Sequence, residues 1–487
     1  MSQDNLKYQT KKGLYWKFAE QFSNYGIQFI VGIFMARMLS PEDYGLTALP
    51  AVFMAISGIF VSGGFGSALI RKPDLKEEDL STAFYYSMVV GILCYVILFI
   101  ASPWIADFYN APILTSLMRV TALSFLYSPL GTVQGVLLNK RLDFKTPAKV
   151  SVICRILSGV IGIVMAYTGY GVWALVISGL ISGIVSMLIT LSVVRWFPKT
   201  GWSKDSFHYL WGFGNKLMGS WLLGTVYENI APIIIGKYFS PAQLGIYNRA
   251  QGYAKMPSQN VTGTLQGVTF PVLSQIQDDK ERLARAYRKM LRVSAFIVFP
   301  LMMMLAALAR PLVLALITAK WEACIVLLQI MCLSMMWYPI HAINLNLLEV
   351  KGRSDLFFRL EVIKRSVGLL LLICTLPFGL VAFCWGGVAG SMVSLFINTY
   401  YTGKIIHVGY VRQMKDLAHI LLLSFAMFGV VWGILQIISN SWVQIIVGGI
   451  VGGAFYLVCS YMFKFSELKE VKYLMRNKEY GKENYHI

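Results

Sequence analysis

The stretch RMLSPEDYGLTAL (37–49) returns two hundred residues later as KYFSPAQLGIYNR (237–249). Arg37, Ser40-Pro41 and Gly45 reappear as Lys237, Ser240-Pro241 and Gly245. The register holds through Val61/Val261, Ser62/Thr262, Gly63/Gly263 and Glu78-Asp79/Asp278-Asp279. A weaker echo pairs Arg141-x-Asp143 with Arg353-x-Asp355, and Val152-Ile153-x-Arg155 with Val362-Ile363-x-Arg365. The matched positions are mostly polar, Pro or Gly, so they are not a chance overlap of apolar runs. The chain holds two copies of one unit, and everything around the matched stretches says what kind of unit it is.

The surroundings are apolar. Hydrophobic residues make up 56% of the 487 and charged residues 14%, far from the roughly one quarter charged of a soluble domain. The mean hydropathy is +0.61. A helix crosses a hydrocarbon core of ~30 Å with about 20 apolar residues. Such segments recur as 15–38, 45–70, 80–104, 113–138, 149–168, 172–194, 207–235, 243–271, 293–317, 323–348, 359–378, 380–402, 417–438 and 442–463. The chain therefore reads as an all-α polytopic membrane protein of about fourteen spans. Residues 1–14 form an N-terminal arm, 15–200 a lobe of spans 1–6 and 201–403 a lobe of spans 7–12. Residues 404–463 hold two further spans and 464–487 a tail. Six-helix copies in the same orientation make a parallel repeat. The polar N-terminus lacks a short apolar run with a cleavage site, so the first span reads as retained.

The net charge of +19 is sorted by side. With the N-terminus and the even-numbered loops on one side, that side collects 34 of the 43 Lys and Arg. Arg37, Lys237, Arg310 and Lys320 lie opposite. The positive-inside rule then makes both termini cytoplasmic. In so apolar a chain this excess marks topology, not nucleic acid. Five cations remain inside spans: Arg119, Arg155, Lys216, Arg249 and Lys255.

An ionisable group within a span faces a cavity or a partner, because hydrocarbon offers it nothing. Glu20, Arg37, Arg119 and Arg155 fall within one or two turns of a predicted helix end, where long side chains snorkel. Lys216 and Lys255 fall about 14 and 18 Å into their spans and point to an anionic ligand in a hydrated cavity. Glu228 and Arg249 sit at matching depth on neighbouring spans, as an ion pair or, for Glu228, as an ion-coupling carboxylate. Glu20, Asn24 and Gln28 recur at i, i+4 and i+8 on one helical face, as interhelical glue or as a pore lining. Span 7 carries Asn215, Ser220, Thr225, Glu228 and Asn229. The stretch 278–292 is amphipathic, with Leu283, Tyr287 and Leu291 on one stripe, and reads as a surface helix or as topogenic charge. The glycines at 63, 64 and 66 end a span and mark a bend. Seven cysteines without a CxxC pair read as small buried hydrophobes, and five scattered histidines give no metal spacing. No cofactor is implied. Outer loops of 5–10 residues leave an enzyme such as a membrane glycosyltransferase no room for a catalytic domain.

LSPEDYGLTAL (39–49), GFGSALIRKPDLKEEDLSTAFY (64–85), RLDFK (141–145), GYGVWAL (169–175) and FPVLSQIQDDKERL (270–283) resemble the polysaccharide transporter family. That family contains the flippases of lipid-linked oligosaccharides, within the multidrug/oligosaccharidyl-lipid/polysaccharide exporter superfamily. The resemblance implies alternating access in the bacterial inner membrane, with an undecaprenyl-diphosphate-linked sugar as cargo. It also implies polymerases and glycosyltransferases as pathway partners. It brings no motif-defined substrate residues. On the residues alone, Lys216, Lys255 and Arg249 are candidates for the diphosphate, Asn24, Gln28 and Asn229 for the sugar, and Glu228 and Glu20 for ion coupling. A cation-coupled multidrug exporter and a peptidoglycan-precursor flippase are the alternatives. The first favours acidic groups in its cavity, whereas the mid-span charges here are mainly positive.

Overall fold

The computed structural model describes residues 3–476, and every regular element among them is helical. Residues 477–487, part of the expected tail, lie outside the described residues. The chain divides into two compact units, Met1–Ile246 and Tyr247–Ile487.

The first unit runs through α1 (Gln3–Met38), α2 (Pro41–Ser62), α3 (Phe65–Arg71), α4 (Glu77–Phe108), α5 (Ile113–Ala122), α6 (Ser124–Lys140), α7 (Lys145–Tyr167), α8 (Val172–Val194) and α9 (Lys204–Tyr238). Next come α10 (Pro241–Gln275), α11 (Lys280–Ala307), α12 (Ala309–Ile317), α13 (Cys324–Met335), α14 (Tyr338–Val350), α15 (Ser354–Thr375) and α16 (Leu380–Ile406). The chain closes with α17 (Tyr410–Leu435), α18 (Ser441–Met462) and α19 (Ser466–Arg476). Ten helices or joined helix pairs are long and apolar enough to cross a membrane. Four more, α1, α9, α10 and α15, have 36, 35, 35 and 22 residues but are too polar to count among the ten. Together they are consistent with fourteen spans.

The repeated Ser-Pro motif starts a helix in each copy. At α2, Ser40 Oγ accepts from the Asp43 backbone amide at 3.2 Å and Asp43 Oδ2 accepts from the Ser40 amide at 2.8 Å. At α10, Ser240 Oγ accepts from the Gln243 amide at 3.2 Å and Gln243 Oε1 accepts from the Ser240 amide at 3.1 Å. Both are capping boxes with proline in the first turn. The glycine that follows each box is set by contact. A Cβ on Gly45 would fall 1.7 Å from the Pro241 carbonyl oxygen, and one on Gly245 would fall 1.9 Å from that of Pro41. The two motifs thus meet back to back, within the first unit. Gly63 and Gly64, at φ +55° and +71°, make the bend between α2 and α3.

In the first unit α1 packs on α7, α7 on α8, and α9 along α2. One core gathers Phe65, Leu69, Leu80, Phe84, Val133, Trp196 and Leu210. In the second, α15 packs on α16, α13 and α14 on α11 and α16, and α17 along α11. The amphipathic stretch expected on the membrane surface is instead the opening of α11. Leu283, Tyr287 and Leu291 are wholly buried in protein, because α14 and α17 offer the stripe a dry face. Gln413 of α17 donates to Tyr287 Oη at 3.3 Å and to Asn344 Oδ1 at 3.2 Å, and Thr402 also donates to Asn344 Oδ1. These four side chains tie α11, α14, α16 and α17 together.

At the basic end of the same unit Arg288 makes a two-pronged pair with Asp416, both contacts 2.6 Å. The short α19 docks through Glu467, 2% exposed, which meets Arg292 at 3.4 Å and His419 at 3.7 Å, and through Glu470 to Lys289 at 3.2 Å. Burial works to raise the Glu467 carboxyl, but His419, its own backbone amide and Arg292 hold it below the usual carboxylate range.

Two expectations follow. Gly45→Ala or Gly245→Ala forces the two capping boxes apart at a cost of about 1–3 kcal/mol. The thermal midpoint of the detergent-solubilised protein should fall, whereas Gly429→Ala, with open space around it, should leave it in place. A carboxyl held low in the folded state stabilises above its unfolded value and loses that contribution as pH falls through the folded one. Limited proteolysis should therefore release α19 below roughly pH 4 in the wild type, and at neutral pH in Glu467→Gln. Cleavage that ignores both changes would show that Glu467 does not hold the helix.

Candidate functional site

The face expected from Glu20, Asn24 and Gln28 is built. On α1 these three, with Lys17, Gln21 and Tyr25, line a cleft of about 280 Å³ whose opposite wall is Arg155 of α7. Helical spacing keeps the α1 residues on one side, and close packing with α7 brings Arg155 to them. Asn24 Nδ2 donates to Ser151 Oγ at 2.8 Å, while Asn24 Oδ1 is buried and has no partner. Gln21 Nε2 donates to Tyr25 Oη at 3.3 Å. Lys17 Nζ stands 5.7 Å from the centre of the Phe144 ring. Among the described residues no ion pair joins Glu20 to Lys17 or Arg155, so two cations and one carboxylate give the cleft a formal charge of +1.

Two of these cations are placed differently from the sequence reading. Arg155, expected to snorkel near a helix end, stands ten residues into α7, about 15 Å along its axis. The helix begins at Lys145 instead of 149, so Arg155 lies nearly three turns inside it. Lys17, counted with the N-terminal arm, belongs to the cleft because α1 is already helical from Gln3. By contrast, Arg119 is absorbed. Its Nε donates to Ser102 Oγ at 3.0 Å and its guanidinium lies 4.2 Å from the centre of the Phe99 ring.

The other candidates are described unit by unit. On α9 of the first unit, Lys216 and Glu228 are exposed, and neither forms an ion pair among the described residues. Asn229 Nδ2 donates to the Thr225 carbonyl of its own helix at 2.8 Å, leaving only its oxygen for a ligand. In the second unit α10 stays helical through Pro257. Arg249 lies over two aromatic faces, 5.3 Å from the fully buried Trp321 and 5.7 Å from Tyr253. Lys255 is half-buried on the same helix. No group of three His, Cys, Asp or Glu able to hold a metal occurs among the described residues.

A cleft lined by amides, a phenol and two cations suits an anionic, hydroxyl-rich headgroup. Guanidinium and ammonium donors match phosphate oxygens, and the amides match hydroxyls.

Several known proteins are similar to this chain. The succinoglycan biosynthesis transport protein ExoT of Rhizobium meliloti is 26% identical over 395 residues, covering 81% of this chain and 78% of the relative. The teichuronic acid biosynthesis protein TuaB of Bacillus subtilis is 24% identical over 411 residues, covering 84% and 85%. Among solved structures, the lipid II flippase MurJ in its inward closed conformation shares the fold, with a TM-score of 0.73 over 92% of this chain and 98% of that one at 18% identity. The family model described as polysaccharide biosynthesis protein matches residues 34–326, more than half of the sequence, and the chain belongs to that family.

Proposed function

We propose that this protein is a transporter that flips a polyprenyl-diphosphate-linked oligosaccharide from the cytoplasmic to the outer leaflet of a bacterial inner membrane. The cargo feeds the synthesis of a surface polysaccharide. The observation that carries the reading is the cationic polar cleft between α1 and α7, on helices of a membrane protein from a polysaccharide biosynthesis family. The relatives' names, a biosynthesis transport protein for one polysaccharide and a biosynthesis protein for another, support it.

The physical task is desolvation. A diphosphate and its sugars cannot cross hydrocarbon unless protein groups replace the lost water. Lys17 and Arg155 engage the phosphates, Asn24 and Gln28 the sugar, and the prenyl chain stays in lipid. About 280 Å³ lies just under the roughly 300–1,000 Å³ of ligand pockets, room for a headgroup fragment but not for a whole oligosaccharide. Lys216 of the first unit and Arg249 and Lys255 of the second are assigned to the same anionic cargo. Both termini are cytoplasmic in this reading. The 15–200 and 201–403 repeats act as the two moving lobes, and the polymerase and glycosyltransferases work before and after this step. The positive charge of the cleft disfavours a carrier of cationic drugs.

Arg155→Leu and Lys17→Leu should each reduce surface polysaccharide about 10- to 100-fold in a flippase-deficient strain. That is the loss of one charge-assisted contact of about 1.5–3 kcal/mol. Arg155→Lys should retain more export than Arg155→Leu at equal membrane abundance. Full export from both leucine variants would remove the cleft from the mechanism. A Lys216→Ala, Lys255→Ala double variant should also lose export while keeping its membrane level, and normal export from it would strike those two lysines from the assignment.

A further inference from the structure

The two cations of the cleft do not stand side by side. Four contacts set the register of α1 against α7. Lys17 Nζ lies over the Phe144 ring at the start of α7, and Asn24 Nδ2 donates to Ser151 Oγ. Further along, a Cβ on Gly159 would fall 2.5 Å from Val31, and one on Gly162 would fall 3.3 Å from Met35. The second residue of each pair lies 127 or 128 positions after the first, so the helices run parallel in a constant register. On that register Arg155 is level with Gln28, eleven residues beyond Lys17. At 1.5 Å per residue the two levels are about 16 Å apart. The Phe144 ring holds the Lys17 ammonium near its own level, away from Arg155.

What lies between the cations is not cationic. Glu20 follows Lys17 by one turn on the same face, half-buried and, among the described residues, without an ion pair. The Asn24–Ser151 hydrogen bond then crosses from α1 to α7 one turn before Arg155. A phosphate is attracted at either end of the cleft and repelled by the carboxylate in between. Screening acts over about 8–10 Å at 0.1–0.15 M salt, so the ends are electrostatically separate. The two phosphates of a diphosphate share one bridging oxygen and are too close together to span the levels. The end groups also differ in kind: an ammonium is a strongly hydrated point charge, whereas a guanidinium grips phosphate oxygens with a planar fork.

We propose that Lys17 and Arg155 are two successive phosphate stations, with Glu20 as the repulsive step between them. Lys17, beside the first residue of α7, captures the diphosphate. Arg155, nearly three turns along the helix, holds it next. Moving in stages lets each lost water be replaced before the next is stripped, which keeps the desolvation cost of any one step small. The proposal rests on the headgroup reading and refines it, because the cations act in turn instead of clamping one diphosphate together.

Isothermal titration of the full-length protein in phosphatidylcholine nanodiscs with inorganic diphosphate tests it. The Lys17→Leu, Arg155→Leu double variant gives the background from all other cations. Above that background the wild type should take up two diphosphates and each single leucine variant one. Glu20→Gln removes the repulsion and should tighten binding at least about threefold, a gain that misfolding does not produce. A single diphosphate in the wild type, lost on either leucine substitution, would describe one shared clamp. That result would overturn the two stations and leave the headgroup reading standing. Unchanged affinity in Glu20→Gln would overturn the repulsive step and the separation it maintains. No uptake above background would overturn the headgroup reading itself, and the stations with it.

Discussion

Hydrocarbon gives a polar group no partner, so each charge on a spanning helix has to find one inside the protein or open onto water. That requirement arranges most of what is seen. Ten helical segments satisfy it with an apolar stretch of 18 residues that holds at most two charged side chains. The remaining long helices, α1, α9, α10 and α15, carry more charges and amides, and α1, α9 and α10, together with Arg155 of α7, bear the candidate site residues. Each polar side chain meets the requirement in its own way. Asn229 and Asn344 return a proton to their own helix, Arg119 and Arg249 lean on rings, Glu361 binds two cations, and Lys17 and Arg155 face an open cleft.

Helix type, membrane class and the internal repeat were legible in the sequence for simple reasons. A span needs a minimum apolar length, and that length is countable. The repeated Ser-Pro and Gly positions were legible because backbone geometry leaves them little choice: one starts a capped helix and the other sits where two backbones touch. The polar face of α1 was legible because its spacing matches a helical turn.

The failures have a common cause. Depth was measured from where hydropathy changes, but helices start earlier than that. α1 and α7 are helical well before their apolar stretches, so Lys17 and Arg155 were assigned to an arm and to a margin. Lys364 and Arg365 fall within the span read at 359–378, yet the count of charges by side places them with the loop before it; both lie on α15. The amphipathic opening of α11 was sent to the lipid surface because an apolar stripe does not say which dry face it will meet. Only the fold supplies α14 and α17.

One signal did point the right way. The weak echo between Val152-Ile153-x-Arg155 and Val362-Ile363-x-Arg365 ends in each copy on an arginine. The residue one turn before each arginine differs: Ser151 in the first copy, Glu361 in the second. Ser151 is neutral and takes the Asn24 amide, so Arg155 keeps its charge for the cleft. Glu361 takes both Arg365 and Lys364, so the equivalent charge is held in an ion cluster on α15 itself. A single difference at i−4 thus gives one scaffold position an open cleft and its counterpart an ion cluster. Duplicated helices give the two units a common frame, and the asymmetry a transporter needs enters through the partner each repeated charge is given.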